Sequence, residues 1–414
     1  MGIVEGLLNR VVRRGVLTVR YADGSERRFG RPDPAFDDVT VRFADSGVPG
    51  AIARDLRLGA AEAFMDGRLI IEQGDILALL TLMRGNAPWS KSTALKIPNP
   101  LRRAVSRTSG RLSRLNWQRR SRRNVAHHYD LGNDFYRLFL DPDLQYSCAY
   151  FTDPRNSLER AQEDKKAHIA AKLALKPGQR VLDIGCGWGG MALYLHRTAG
   201  VEVLGITLSE EQLAVARERA KAAGVADQVR FELTDYRQLT GRFDRIVSVG
   251  MFEHVGPPHY REFFRTCHNL LAENGVMLLH TIGRFGGPNV TDAFVRKYIF
   301  PGGYIPALSE IVAASEKNNL IIADIEMLRL HYALTGRHWY RRTVENREAI
   351  VAMYDERFYR MWLFYLAGVI VTFEHGGMGN YQIQYVRDRH ALPLTRDYMG
   401  QAEERLRAGP PPAP

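Results

Sequence analysis

Short apolar runs alternate with longer stretches of helical periodicity between residues 157 and 283. The apolar runs predict strands at 181–184, 201–206, 229–235, 243–249 and 276–283. Helical spacing predicts helices at 157–174 and 259–272, and a third that begins at Ser209, where Gln212 three residues later completes a capping-box pattern. Strands that alternate with helices predict a doubly wound, mostly parallel α/β sheet.

The N-terminal residues 1–85 show a different pattern, which predicts a small α/β domain. Leu7, Leu8, Val11 and Val12 have helical spacing, and the alternating segment GVLTVRYADGSERRFG predicts a hairpin. The run 361–373 is apolar but shorter than a bilayer span, so we expect a buried helix there. The predicted organisation is 1–85 as a packing or substrate-presenting domain, 86–123 as a linker, 124–390 as a catalytic domain and 391–414 as a disordered tail.

Composition changes this picture mainly through charge. An apolar fraction of 45% and a charged fraction of 25% are ordinary for a globular protein, but a net charge of +11 favours an anionic partner, either nucleic acid or a membrane. The linker has eleven cations and no acid, which are Lys91, Lys96, Arg102, Arg103, Arg107, Arg111, Arg114, Arg119, Arg120, Arg122 and Arg123. A solvated charge run is one interpretation, and an anionic bilayer surface is the other. The three separated cysteines indicate a reduced cytoplasm and provide neither a disulfide framework nor zinc-ligand spacing.

Candidate chemistry is concentrated at VLDIGCGWGG (181–190), where a buried strand breaks into glycines. Gly185, Gly187 and Gly189 would let a ligand approach the backbone. Asp183 would repel a phosphate but suits the ammonium group of an amino acid. The segment resembles the first motif of the class I S-adenosylmethionine (SAM) methyltransferases, which are Rossmann-like. Ligands in such sheets bind beyond the carboxyl ends of the strands. Here these ends carry Gly185, Thr207, Asp235, Glu253 and His280.

Seven motifs extend this resemblance to the cyclopropane-fatty-acyl-phospholipid synthases and the related mycolic acid cyclopropane synthases. They are HHYDLGNDFYRLFLD, QYSCAYF, VLDIGCGWGG, GITLSEEQ, GMFEHVG, LLHTIG and KYIFPGGYIP. The resemblance implies transfer of the SAM methyl to a cis double bond of a phospholipid acyl chain. A base, which this family is thought to supply as bicarbonate, then removes a proton and a cyclopropane ring closes.

The resemblance also assigns residues. It implies that bicarbonate is held by the side chains of Glu253, His280 and Tyr332 with backbone groups of Cys148 and Ile282. It implies SAM contacts from Tyr146, Ser147, Asp183, Gly185, Gly187, Thr207, Ser209, Gln212, Asp235 and Tyr236. Gly336 and Val369 depart from the family pattern, since a bulkier residue and a cysteine are expected there.

Structural interpretations compete with these assignments. His280 fits a hydrogen-bonded core histidine as well as a catalytic group, and Glu253 fits a helix cap as well as a proton acceptor. His254 is interpreted as structural, and Cys148 is not a nucleophile because methyl transfer needs no covalent acyl intermediate.

The alternatives to a cyclopropane synthase are a fatty-acyl methyltransferase with a methyl-branched or methylene product, an RNA methyltransferase and a non-catalytic lipid-binding protein. We expect an unsaturated phospholipid at an anionic membrane as the partner and no nucleic acid. The expected location is cytoplasmic, peripheral at the inner face of the membrane, and homodimer formation is left open.

Overall fold

The computed structural model describes residues 2–55, 58–91 and 131–408. These residues group into two compact units. The first unit contains the described residues up to 91 together with Thr291–Pro301 and Tyr332–Met378, and the second contains residues 131–290, 302–331 and 379–408. Residues 92–123 of the predicted basic linker lie outside the described residues.

The bounds of the regular elements follow the chain. The α-helices are α1 (Ile3–Val11), α2 (Val48–Arg54), α3 (Gly59–Met65), α4 (Ile76–Gly85), α5 (Asn133–Arg137), α6 (Leu158–Leu173), α7 (Gly190–Ala199), α8 (Glu210–Ala222), α9 (Tyr260–Leu270), α10 (Leu308–Glu316), α11 (His331–Glu345), α12 (Arg347–Met353), α13 (Glu356–Glu374) and α14 (Asp397–Ala408). The strands are β1 (Gly15–Arg20), β2 (Glu26–Arg31), β3 (Val39–Phe43), β4 (Leu69–Gln73), β5 (Arg180–Ile184), β6 (Glu202–Thr207), β7 (Val229–Leu233), β8 (Phe243–Val249), β9 (Leu271–Arg284), β10 (Ile321–Leu328) and β11 (Met378–Val386).

The first unit is built on a four-stranded sheet with strand order β2-β1-β3-β4. The predicted hairpin is confirmed: β1 and β2 pair antiparallel, and Gly24 in the turn has a φ of 85°. The predicted buried helix is also confirmed as part of α13, where Trp362, Leu366 and Ile370 are fully buried. The predicted domain boundaries are corrected here, because α13 packs against α3 and α4 and therefore groups with the N-terminal residues.

The second unit confirms the predicted doubly wound fold. Its seven strands have the order β10-β11-β9-β8-β5-β6-β7, and the central pairs from β9 to β7 are parallel. Successive residues of β5 point to opposite faces, so Val181 and Leu182 belong to two separate apolar cores, one on each side of the sheet. A parallel sheet covered on both faces leaves its strand ends as the place for a ligand.

Part of the predicted disordered tail is ordered, so that prediction is wrong for residues 397–408. These residues form α14, which packs on α6. Glu403 Oε2 lies 2.9 Å from His168 Nδ1, and Arg407 Nε lies 3.3 Å from Asp164 Oδ1. The composition suggested disorder, but buried partners on α6 hold the segment. Residues 409–414 lie outside the described residues.

None of the helices within residues 2–55, 58–91 and 131–408 combines the length and the apolarity that crossing a bilayer requires.

Candidate active site

The glycine turn joins β5 to α7. Gly185, Gly187 and Gly189 all have positive φ, at 83°, 55° and 82°. A Cβ on Gly185 would lie 2.8 Å from Met251 Cβ, and a Cβ on Gly189 would lie 2.7 Å from the Phe231 ring. A Cβ on Gly187 would meet no atom within 4 Å. The outer glycines are therefore required by packing, whereas Gly187 leaves open space in which a ligand can approach the backbone.

A cleft opens beyond the carboxyl ends of β5, β6, β7 and β8. Nine of the ten residues predicted to contact SAM line it, namely Tyr146, Ser147, Asp183, Gly185, Gly187, Thr207, Gln212, Asp235 and Tyr236. The tenth, Ser209, is instead the N-cap of α8, where its Oγ accepts the N–H of Gln212 at 3.3 Å. The structure therefore brings residues from separate parts of the chain to one edge of the sheet.

The predicted capping box at the start of α8 is only half formed, which frees a side chain for the cleft. Ser209 N–H donates to Thr207 Oγ1 at 3.2 Å and not to the side chain of Gln212. Thr207 Oγ1 in turn donates to Gln212 Oε1 at 3.1 Å. Gln212 therefore satisfies the helix start through its backbone and faces the cleft with its side chain.

Asp183 provides a site for a positive charge at the base of the cleft. It is 2% exposed, and its Oδ2 has no hydrogen-bond partner among the described residues. Burial raises the pKa of Asp183 to about 7, and the charge of Lys165 offsets part of that rise. A buried carboxylate is unfavourable unless a cation or hydrogen-bond donor pairs with it. The ammonium group of SAM meets this need, so the residues present fit the cofactor.

Lys165 holds the loop that forms one wall of the cleft. This lysine on α6 is fully buried, and its Nζ donates to Gln145 Oε1 at 2.6 Å and to Ser147 Oγ at 2.8 Å. Gln162 Nε2 donates to the carbonyl oxygens of the same two residues, at 3.0 and 3.1 Å. Sequence reasoning missed Lys165 and Gln162 because hydropathy alone predicts such residues to be exposed.

Asp235 follows β7 and has a cationic partner that the sequence analysis also missed. Its carboxylate accepts from Arg237 Nε at 2.9 Å and from Arg237 Nη2 at 2.6 Å. Asp235 is 4% exposed, so this bidentate pair keeps a buried charge compensated. The i, i+2 spacing of an acid and an arginine was the only signal in the sequence.

Glu253 lies in a short 3-10 segment, Phe252–His254, that follows β8. Its Oε1 accepts the backbone N–H of Ile282 at 2.6 Å, and its Oε2 has no hydrogen-bond partner among the described residues. Burial raises the pKa of Glu253 to about 7, although hydrogen bonds from the backbone N–H groups of Glu253 and Ile282 and from the Thr281 side chain act in the opposite direction. An oriented carboxylate with one open oxygen and a pKa near neutrality can accept or donate a proton.

His280 is placed differently from the prediction of a free strand-end imidazole. It lies opposite Val249, the last residue of β8, but its own strand β9 continues to Arg284. Both ring nitrogens have amide neighbours on β11: Nε2 is 3.0 Å from Asn380 Nδ2, and Nδ1 is 3.1 Å from Gln382 Nε2. Burial holds the pKa of His280 well below its usual value, so the ring stays neutral. These contacts match a hydrogen-bonded core histidine, and its catalytic role stays a prediction.

The other three residues predicted to hold the anion, Ile282, Cys148 and Tyr332, have different surroundings. The N–H of Ile282 is bonded to Glu253. Cys148 is buried, and its Sγ donates weakly to the carbonyl of Ala149 at 3.4 Å. Tyr332 belongs to the first unit, where its ring packs 4.7 Å from that of Phe373, and its predicted place beside Glu253 stays a prediction. His254, interpreted from sequence as structural, lines the cleft, and burial lowers its pKa to about 4.

Comparisons with known proteins agree with this geometry. The family model described as mycolic acid cyclopropane synthetase matches residues 116–383. A "Probable fatty acid methyltransferase" of Pseudomonas putida is 36% identical, over 92% of this chain and 96% of that protein. The "Cyclopropane-fatty-acyl-phospholipid synthase" of Escherichia coli strain K12 is 38% identical, over 80% of this chain and 83% of that protein.

Among solved structures, that of "mycolic acid cyclopropane synthase CmaA1 complexed with SAH and CTAB" is similar to this chain with a TM-score of 0.61 and 34% identity. The match covers 64% of this chain and 97% of that one. The predicted resemblance and the predicted SAM-methyltransferase fold are thereby confirmed. From its fold, its cleft and these matches, the chain belongs to the mycolic acid cyclopropane synthetase family of SAM-dependent enzymes.

Proposed function

We propose that the protein transfers the methyl group of SAM to a cis double bond of an unsaturated phospholipid acyl chain and closes a cyclopropane ring. The observation that carries this proposal is a pair of buried carboxylates on neighbouring strands, each with one unpartnered oxygen among the described residues. Asp183 lies on β5, and Glu253 follows the adjacent strand β8. The name of the Escherichia coli relative supports the choice of product and substrate.

The two carboxylates suit different tasks. SAM, when bound, supplies an electrophilic methyl group on a sulfonium. Asp183 would pair with its ammonium group, and Asp235 and Gln212 offer acceptors to its nucleoside end. Glu253 is held by the N–H of Ile282 at Oε1, so its free Oε2 has a defined direction in which to receive a proton.

Ring closure requires the substrate to lose a proton, and we propose that bicarbonate assists this loss at Glu253 Oε2. The unpartnered buried oxygen and the pKa of about 7 support this position, because the ionised carboxylate of Glu253 can accept the hydroxyl hydrogen of bicarbonate and take up the proton that the anion removes. Of the other predicted ligands, the N–H of Ile282 is bonded to Glu253, and the His280 ring lies between the side-chain amides of Asn380 and Gln382. Glu253 is therefore the anion contact that we propose from this set.

We further propose that the enzyme works at the inner surface of the membrane, in the cytoplasm. A phospholipid acyl chain is found in a bilayer, and the eleven unopposed cations between residues 91 and 123 favour an anionic surface. Sedimentation with vesicles of phosphatidylglycerol, but not of phosphatidylcholine, is the expected result. Equal sedimentation with both lipids would contradict the electrostatic part of this proposal.

The chemical test is product analysis. Purified protein is incubated with SAM and vesicles of a dioleoyl phospholipid, with and without added bicarbonate, and the released fatty acids are examined by NMR and by fragmentation. Cyclopropane protons with no remaining double bond are expected. A methyl branch or a methylene group would instead support the second candidate, a fatty acid methyltransferase, which the name of the Pseudomonas putida relative favours.

A further inference from the structure

Lys165 differs from the other buried lysines of α6. Lys166 is paired with Asp143 at 2.6 Å, and Lys172 is paired with Glu326. Lys165 is at least as deeply buried but has no carboxylate within ion-pair distance among the described residues, and its two acceptors are the neutral Gln145 and Ser147. A buried ammonium group held only by neutral acceptors is unfavourable, and such an arrangement at the edge of a cleft indicates a role there.

The position of the ammonium group determines how Ser147 presents its hydroxyl. Ser147 Oγ accepts a hydrogen from Lys165 Nζ at 2.8 Å, so its own hydrogen must point elsewhere. No acceptor for that hydrogen is present among the described residues, and Ser147 lines the cleft. Ser147 therefore offers a donor to the cleft, in a direction that Lys165 sets.

The rest of the loop is held in a compatible way. Gln145 Oε1 accepts from Lys165, which turns its Nε2 toward Asp143 Oδ2 at 3.0 Å. Gln162 binds both loop carbonyls from the same helix. The loop backbone is thus supported independently of Lys165, which separates an effect on the hydroxyl from an effect on the fold of the loop.

We infer that Lys165 is a positioning residue for the amino-acid end of SAM, because it directs the Ser147 hydroxyl toward the ligand carboxylate while Asp183 receives the ligand ammonium. The carboxylate of this zwitterionic ligand group would then accept from the Ser147 hydroxyl, which Lys165 orients, and its ammonium group would pair with Asp183. The inference rests on SAM binding in this cleft, and it does not depend on which acyl product is formed.

Calorimetric binding of S-adenosylhomocysteine (SAH) to the full chain tests the inference, because SAH keeps the amino-acid end and lacks the reactive methyl group. Lys165→Met should weaken binding roughly 10- to 100-fold, and Ser147→Ala roughly tenfold. In the Lys165→Met background, Ser147→Ala should change the affinity less than about threefold, since the hydroxyl is no longer directed. A structural role for Lys165 would not produce this coupling.

Lys172→Met is the matched control, because Lys172 is equally buried on the same helix and contacts none of the residues that line the cleft. It should lower the unfolding temperature but leave the affinity for SAH within about threefold of the parent value. If Lys165→Met does not fold, Lys165→Gln keeps a neutral N–H donor group at this position. Its affinity for SAH should lie between the parent value and a 100-fold loss, at roughly tenfold weaker binding.

Two results would overturn the inference: parent-like SAH affinity in a folded Lys165 variant, or the same loss from Ser147→Ala in both backgrounds. Absence of a cyclopropane product would contradict the proposed function and leave the SAH measurements unaffected.

Discussion

Replacing Asp183 by asparagine should stabilise the ligand-free protein and weaken its binding of SAH. The folded protein keeps the proton of Asp183 up to about pH 7, whereas the unfolded chain releases it near the ordinary pKa of 3.8. The unfolded state is therefore increasingly favoured as pH rises between these two values, and the loss of stability is complete above pH 7. A difference of roughly three pKa units corresponds to about 4 kcal/mol.

Asparagine has nearly the same shape as the protonated acid but cannot ionise, so Asp183→Asn should recover much of this energy. Allowing for the usual twofold to threefold uncertainty in such figures, we expect a gain of roughly 1.5–4 kcal/mol at pH 8, which is about 3–12 °C in the unfolding temperature. At pH 5.5 only about half of the pH window has been crossed, so the gain should be about half as large. The affinity for SAH should fall roughly 10- to 100-fold, since the ligand ammonium loses a charged partner.

Differential scanning calorimetry at the two pH values and calorimetric titration with SAH check both parts. Asp143→Asn is the control, because this carboxylate is paired with Lys166 and Arg219. Although burial opposes them, these two cations hold the pKa of Asp143 below its ordinary value, so its loss should destabilise the protein at pH 8. An Asp183→Asn variant with an unchanged or lower unfolding temperature at pH 8 would refute the reasoning, as would parent-like binding of SAH.

Three further predictions concern residues in and around the cleft. Glu253→Gln should lower product formation at least about 100-fold and leave the affinity for SAH within about threefold of the parent value. The rate of the parent protein should rise with pH through about 7, because this carboxylate ionises there. Equal rates for the two proteins would remove Glu253 from the mechanism. Gly189→Ala should destabilise the protein by about 1–3 kcal/mol because its Cβ meets the core, whereas Gly187→Ala should mainly weaken SAH binding. Thermal unfolding and titration with SAH check both variants, and a larger loss of stability from Gly187→Ala than from Gly189→Ala would contradict this assignment. Arg237→Met removes the guanidinium that compensates the buried Asp235 carboxylate. Denaturant unfolding at pH 7 should therefore show a loss of about 3–5 kcal/mol, and a loss under about 1 kcal/mol would contradict the proposed pairing.

The sequence predicted the parts of this protein that depend on local pattern. Apolar runs identified the strands of the parallel sheet, and the glycine spacing after Ile184 identified the cleft, because both signals arise within a few neighbouring residues. The hairpin at Gly24 and the apolar helix α13 were predicted for the same reason.

Features that depend on distant partners were not predictable in this way. Six polar residues of α6 are buried, namely Gln162, Asp164, Lys165, Lys166, His168 and Lys172, although their hydropathy indicates exposure. The amide neighbours of His280 come from β11, 100 and 102 residues away, so no local pattern could show that amide groups lie beside both ring nitrogens. The grouping of α13 with the N-terminal residues likewise depends on packing across nearly 300 residues of chain.

The packing of α14 on α6 has a consequence for synthesis of the chain. His168 and Glu403 are 235 residues apart, so a ribosome must add almost the whole second unit before the buried polar side of α6 meets its last partner. Until then the nascent unit carries ionisable groups whose final neighbours have not been translated, and contacts of such long range form slowly. A stop codon before residue 397 would therefore release a chain with an intact glycine turn and an unfinished helix behind it, a substrate for proteases and chaperones.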